Sequence, residues 1–266
     1  MTDEQISPAP PEARPPEPSY GIDAPSVVLT FTVLGVVSFF GACFAAGGNS
    51  PPLVVFFLLA MLSTAPTAAY MVYSSTKAKK RLWQRTLDGL DLTGAERTLD
   101  VGCGRGLVLI ETAKRVPEGH ATGIDLWRSK DQSGNTRSIT EANATSVGVA
   151  DRVDVRDGDM RELPFSDESF DLVTASLAIH NIGERVGRNR AVEEVARVLA
   201  PGGRIVIIDI GRTNEYEAEL ARAGLTDVRR SGLSFVIYPP VRTVTAHKSS
   251  TATATTTERP DDDQRP

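Results

Sequence analysis

Residues 99–106 read Leu99-Asp100-Val101-Gly102-Cys103-Gly104-Arg105-Gly106, and this stretch decides the fold. The residues from Thr98 to Val101 form a short strand-length run, three alternating glycines follow, and Leu107–Arg115 has helical composition. A strand that passes through a glycine turn into a helix is the ligand-cradling unit of doubly wound α/β folds. Glycine admits φ > 0 there and lets a ligand approach the backbone closely. The spacing is G-x-G-x-G, which does not meet the G-x-G-x-x-G dinucleotide fingerprint. Asp100 stands at the loop entrance, where a carboxylate repels a pyrophosphate and attracts an ammonium or sulfonium group.

Downstream, apolar runs of strand length recur at Ala121–Ile124, Val153–Val155, Leu172–Ser176 and Arg204–Ile208. Helix-length segments lie between them at Ser138–Val147 and Ala191–Ala200, and Pro201-Gly202-Gly203 is expected to stop the second. Strands alternating with helices imply a parallel sheet covered on both faces, with ligands at the carboxyl ends of its strands. Asp227–Arg230 and Val241–His247, with Pro239-Pro240 between them, predict an antiparallel pair at the edge.

Two further acids end strands. Asp125 lies 19 residues beyond Gly106, where a carboxylate accepts hydrogen bonds from ribose hydroxyls of any adenosine ligand. Asp159, in Gly158-Asp159-Met160, is placed to accept from an adenine amino group with Met160 against the ring, or simply to cap a turn. Trp127 has the same two readings, beside the adenine or in a surface or core role. His120, His180 and His247 are scattered without ligand spacing, so no metal is predicted. His180 follows the fourth strand, where a base able to deprotonate a phenol or carbon acid near neutral pH would sit. Local hydrogen bonding is its alternative role. Asn181 is read as orienting backbone or substrate, and Glu184, Arg185 and Arg188 as a solvated face.

The segments LDVGCGRG (99–106), GIDLW (123–127), GDMRELPFSDESFDLV (158–173), SLAIHNI (176–182) and EVARVLAPGGRIVIID (194–209) occur in that order. Together they resemble class I S-adenosylmethionine-dependent methyltransferases, in particular the group containing ubiquinone/menaquinone-biosynthesis C-methyltransferases. The resemblance covers residues 98–209 and weakens toward residue 248. It implies a Rossmann-like seven-stranded sheet with a reversed last strand, and S-adenosylmethionine as cofactor. By that likeness Asp100, Gly102, Gly104 and Gly106 hold the methionine end, and Asp125 and Asp159 hold ribose and adenine. Cys103, Leu126, Met160 and Ser176, within the same segments, complete the expected cofactor-binding set. Residues 177–182 only approximate the quinone-methylating pattern, so the acceptor stays open between a small molecule and a lipid.

Ahead of this domain, residues 24–76 contain no Asp, Glu, Lys, Arg or His. Two apolar runs, Ser26–Ala46 and Pro52–Val72, flank Gly47-Gly48-Asn49-Ser50-Pro51, and each has the length a helix needs to cross about 30 Å of hydrocarbon. A transmembrane hairpin over residues 24–74 is expected, kinked at Pro66; a buried core helix is the alternative. Lys77, Lys79, Lys80, Arg81 and Arg85 follow the second run while the inter-helix turn carries no base. This places the catalytic domain and both termini in the cytoplasm, with lipid head groups as a second partner for the bases.

Residues 75–95 read as a basic, amphipathic connector and residues 96–248 as the catalytic domain. The Pro/Glu-rich residues 1–23 and the Thr/Ala-rich residues 249–266 are expected to be disordered. The net charge of −5 gives no electrostatic reason to expect nucleic acid. Cys43 and Cys103 lie in contexts that do not pair, which favours a reducing compartment. A nucleotide-dependent oxidoreductase and a non-catalytic cofactor-binding membrane protein are the competing functions.

Overall fold

The computed structural model describes residues 17–128 and 130–250. Seven strands form one sheet: β1 (Arg97–Val101), β2 (His120–Asp125), β3 (Val153–Asp157), β4 (Phe170–Ser176), β5 (Leu199–Asp209), β6 (Thr226–Arg230) and β7 (Arg242–His247). Their order is β3-β2-β1-β4-β5-β7-β6. β7 is antiparallel to both of its neighbours, and the other described pairs are parallel. The antiparallel pair expected at the edge is β6–β7, with the reversed β7 between β5 and the edge strand β6. The helices are α1 (Pro25–Gly47), α2 (Pro51–Tyr73), α3 (Lys79–Asp88), α4 (Leu107–Ala113), α5 (Arg137–Ser146), α6 (Arg185–Val198) and α7 (Thr213–Arg222).

The near-continuous apolar strands feed two cores. Along β5, Ile205 and Ile207 join the core formed with α6 and α7, while Val206 and Ile208 join the one formed with α3 and α4. This alternation is the period-two geometry of a strand buried on both faces. The helix over Ala191–Ala200 ends earlier than expected, at Val198, because Leu199 already pairs with Phe170 and Pro201-Gly202-Gly203 falls inside the irregular start of β5.

α1 and α2 form an antiparallel hairpin closed by Gly48 N–H to Phe44 O (3.0 Å) and Ser50 N–H to Ala45 O (3.0 Å). Small residues let the helices approach: a Cβ on Gly35 would meet Ala65 Cβ at 3.3 Å. Most large apolar side chains of the hairpin are exposed, Phe44 at 84% and Leu59 at 65%, so neither helix is a core helix. Both are candidate membrane spans by length and composition. α2 runs through Pro66 without interruption into a wide π turn, Ser74–Ala78, that continues as α3.

The segments on either side of the hairpin pack onto the domain. α3 buries Lys79, Trp83 and Leu87, one residue per turn along a single face. Gln84 Nε2 donates to Glu111 of α4 (3.1 Å) and Asp88 pairs with Arg115 (2.6 Å). The tail expected to be disordered up to Asp23 is ordered over its last seven residues. Tyr20 is buried, Ser19 N–H donates to Asn143 Oδ1 (3.0 Å) and Ile22 N–H to Ser133 Oγ (2.9 Å). One aromatic ring supplies the buried area that the Pro/Glu composition lacks. Residues 1–16 and 251–266, the rest of the two expected tails, lie outside the described residues.

Candidate active site

At the carboxyl end of the sheet lies a cavity of about 380 Å³ bordered by the ends of β1, β2, β3 and β4. Ten residues were expected to bind the cofactor, and nine of them line this space: Asp100, Gly102, Cys103, Gly104, Asp125, Leu126, Asp159, Met160 and Ser176. Gly106 is absent from the lining. At φ +82° it turns the chain into α4, and a Cβ there would sit 2.8 Å from Thr140 Cγ2. Its glycine therefore serves loop-to-helix packing. Gly102, at φ +72°, has no room either, since a Cβ would lie 2.4 Å from Ala178 Cβ.

The loop is held by carboxylates below it. Asp100 accepts from Leu109 N–H (3.1 Å) and from Thr174 Oγ1 (2.9 Å), so it satisfies one of the first amides of α4 from the neighbouring strand. Burial pushes its pKa up to about 7, against the lowering by Thr174, Leu109 and Lys79. Asp125 accepts from Gly104 N–H (2.8 Å) and Trp127 N–H (2.6 Å), and burial raises its pKa as well. Both acids brace the backbone that forms the cradle while facing the cavity. Asp159 goes the other way: the Arg161 guanidinium bonded to it holds it below the ordinary carboxylate range. It also accepts Arg161 N–H at 2.9 Å, which is the turn-capping role. Burial drives the Cys103 thiol well above its ordinary value, so it is packing rather than a nucleophile.

Other placements differ from expectation. Trp127 does not line the cavity; its Nε1 donates to Asp157 (2.5 Å) on β3. Arg188 is buried at 3% exposure and is not part of a solvated face. It donates to Ile182 O and Gly183 O and pairs with Glu215 of α7 at 2.8 Å, fixing the loop after β4.

His180 lies outside the cavity lining, although Leu177, Ala178, Asn181 and Ile182 around it are part of that lining. Its Nδ1 stands 2.5 Å from Asp209 Oδ1, and its backbone N–H donates to Asp209 Oδ2 (3.1 Å). Asp209 is fully buried and also accepts from Tyr216 OH (3.2 Å) and Ile210 N–H (2.8 Å). Burial disfavours the imidazolium, but the Asp209 hydrogen bond and charge outweigh it and the pKa is raised.

Several residues that line or brace the cavity lie outside the motifs. Asp23 and Lys79 line the cavity as an ion pair at 2.6 Å, joining the residues just before α1 and just after the π turn. Lys79, expected among the bases facing head groups, is 6% exposed and committed to this pair. Asp23 N–H donates to Ser75 Oγ (3.1 Å), so the chain leaves and re-enters the domain at nearly one point. Gln132 Nε2 donates to Tyr20 O (2.9 Å), while its Oε1 accepts from Arg105 N–H (2.9 Å). Trp83 Nε1 donates to Ser176 Oγ (2.8 Å) across the floor. The one sequence signal for this wall is that Asp23 and Lys79 are charges immediately outside the uncharged zone.

The donor set fits an adenosyl amino acid: a glycine cradle with no space for a Cβ, the buried Asp100 and half-buried Asp125 facing the cavity, and Asp159 at the end of β3. A doubly wound sheet with an inserted reversed strand and this cradle defines a class I S-adenosylmethionine-dependent methyltransferase domain, with S-adenosylmethionine as its cofactor. Residues 99–207 match the family model described as methyltransferase domain. The chain is 35% identical over 133 residues to a ubiquinone/menaquinone biosynthesis C-methyltransferase of Roseobacter denitrificans, covering 50% of each chain. It is 27% identical over 143 residues to a sterol 4-C-methyltransferase of Caenorhabditis elegans, covering 54% of this chain and 40% of that one. This chain thus spans about half the length, or less, of these curated relatives. Among solved structures, a [4+2]-cyclase, SpnF, superposes with a TM-score of 0.53 at 22% identity, covering 66% of this chain and 84% of that one. A geranyl diphosphate methyltransferase does so at 0.52 and 14%, covering 67% and 89%. At such identities the likeness is one of fold.

Proposed function

We propose that this protein transfers a methyl group from S-adenosylmethionine to an apolar, lipid-like acceptor at a membrane spanned by its N-terminal hairpin. The single observation that carries the reading is the Asp23–Lys79 pair, which makes both ends of the apolar hairpin part of the cofactor cavity wall. A site built at the base of such a hairpin lies within reach of an acceptor dissolved in the bilayer. The quinone and sterol methyltransferases among the relatives support an acceptor of that class. Lys77, Arg81 and Arg85, all exposed, support a cytoplasmic placement of the domain.

When bound, the cofactor supplies an electrophilic methyl group on a sulfonium. The chain's own residues bind, orient and exclude water. Asp100 favours the positive end, Asp125 accepts from the ribose hydroxyls, and Asp159 and Met160 form the adenine end, while the Asp23–Lys79 pair closes the wall beside them. Holding donor and acceptor in line supplies much of the barrier reduction. His180 serves as the base: Asp209 fixes Nδ1–H, which leaves Nε2 unprotonated and able to take a proton from a phenol or carbon acid.

Incubating membranes that contain the full chain with cofactor labelled in its methyl group tests this reading. Label in the lipid extract is the expected result. Label confined to water-soluble metabolites would remove the lipid acceptor, and cofactor binding with no product at all would leave a non-catalytic binding protein. Tight NAD(P)H binding with none of S-adenosylmethionine would favour the oxidoreductase.

A further inference from the structure

Between β6 and β7, residues 231–241 run Ser231-Gly232-Leu233-Ser234-Phe235-Val236-Ile237-Tyr238-Pro239-Pro240-Val241, with no charged side chain. Arg229 and Arg230 precede the loop and Arg242 follows it. Leu233, Phe235 and Val236 are exposed at 52%, 68% and 46%. Three apolar side chains held in water on one short loop are unfavourable and mark a contact surface.

The loop is fixed in place. Ser234 and Val241 exchange both backbone hydrogen bonds (2.8 and 3.0 Å), and Ile237 is buried with Trp83 and Ala78. Its backbone is also tied to the hairpin base. Tyr238 N–H donates to Ser74 Oγ (2.8 Å), Tyr70 OH donates to Phe235 O (2.6 Å), and the Tyr70 and Tyr238 rings lie 6.1 Å apart. Phe235 is therefore level with Tyr70, in the last turn of α2, where Tyr70 and Tyr73 stack 6.2 Å apart. Lys77 and Arg81 lie one and two turns beyond. Tyrosines followed by exposed bases are the order of groups at a bilayer boundary.

We infer that the β6–β7 loop is a third membrane contact, inserting Leu233, Phe235 and Val236 into the boundary between head groups and acyl chains of the bilayer the hairpin spans. The inference rests on the membrane reading of that hairpin. The occupant is set by continuity: a loop hydrogen-bonded to a spanning helix shares its depth, and the flanking arginines suit anionic head groups. The loop leaves the sheet beside Asp209, the register partner of Arg242, at the end where the cavity opens. Two attachments, hairpin and loop, hold that end of the sheet against the lipid.

The test uses the full chain in vesicles of equal parts phosphatidylcholine and phosphatidylglycerol. An environment-sensitive fluorophore is placed at Phe235→Cys in a Cys43→Ser background, with Glu118→Cys, exposed at the opposite end of the sheet, as control. The label at position 235 is expected to emit to the blue, resist aqueous iodide and be quenched by nitroxides high on the acyl chain, with none of this at position 118. Iodide quenching at position 235 equal to that at position 118 overturns the inference. A Leu233→Asp, Phe235→Asp variant is expected to keep its cofactor affinity and lose roughly tenfold of the label delivered to lipid, the order of one apolar side chain's burial. Unchanged delivery likewise counts against the loop. A lipid-embedded label in a chain that yields no methylated product would instead sink the proposed activity and leave the loop standing.

Discussion

The two sides of the cavity are built in different ways. On the β1–β2 side, Asp100 and Asp125 are gripped by amides of a nearby stretch of chain: Leu109, Gly104 and Trp127. Elsewhere around the cavity the charged groups find partners across the fold. His180 meets Asp209 from another strand, and Lys79 meets Asp23 from beyond the hairpin. The first side is a local conformation that glycine makes accessible; the second exists only once the sheet and the hairpin base have assembled. Mutations of the glycines on the first side should cost the most cofactor affinity, whereas those on the second should divide between turnover and modest changes of affinity.

The largest effect is expected from Gly102→Val. A side chain at φ +72° whose Cβ meets Ala178 at 2.4 Å must displace the cradle, and cofactor affinity measured by calorimetric titration should fall about a hundredfold or more. An unchanged affinity would show that the loop is not the binding element. Asp209→Asn should leave that affinity alone and lower turnover about a hundredfold, in the range of lost acid–base catalysis. It should also move the acid limb of the pH–rate profile downward, because His180 loses the carboxylate that raises its pKa. A profile that stays put while turnover drops would reduce His180 to a structural role. The same pair stabilises the fold fully below the unfolded histidine's pKa, about 6.5, and that contribution is lost as pH rises through the higher folded value.

Asp100 gives a smaller, pH-dependent signature. With its pKa at about 7, it becomes the anion that attracts a sulfonium only as pH rises through that value. Cofactor affinity should therefore climb with pH, at most about tenfold per unit, and level off above 7, while Asp100→Asn should flatten the slope. A slope that survives the substitution would assign the titration to Asp125. The smallest change is expected for Lys79→Met, a few-fold loss of affinity typical of a part-exposed ion pair. No loss at all would make the hairpin flank a mere neighbour of the site.

This contrast also explains what could be read in advance. Leu99–Gly106, Asp125 and Asp159 were legible because a strand, a glycine turn and an acid at a strand end are local patterns. The strands were placed to within a few residues for the same reason. Asp209 was quoted within a motif, but only pairing of β4 beside β5 reveals it as the partner of His180. Helix α7, whose Tyr216 closes that network, lies outside the quoted motifs and is not among the helices expected from the sequence. Tyr20 and Asp23 sit in a Pro/Glu-rich stretch whose composition argues against order, and one aromatic ring and one ion pair override it. Lys79 read as a solvated base because nothing nearby in sequence announces a distant acid.

The bond from Asp23 N–H to Ser75 Oγ bears on how this chain can be handled. Topologically the hairpin is a detour within a continuous domain, to which residues 17–23, upstream of it, also belong. Trimming everything before residue 96 to obtain soluble material would strip away Tyr20, Asp23, Lys79 and Trp83. Excising residues 26–73 and rejoining the stumps with a short glycine–serine bridge would preserve all four, and with them the wall of the cavity that Asp23 and Lys79 line.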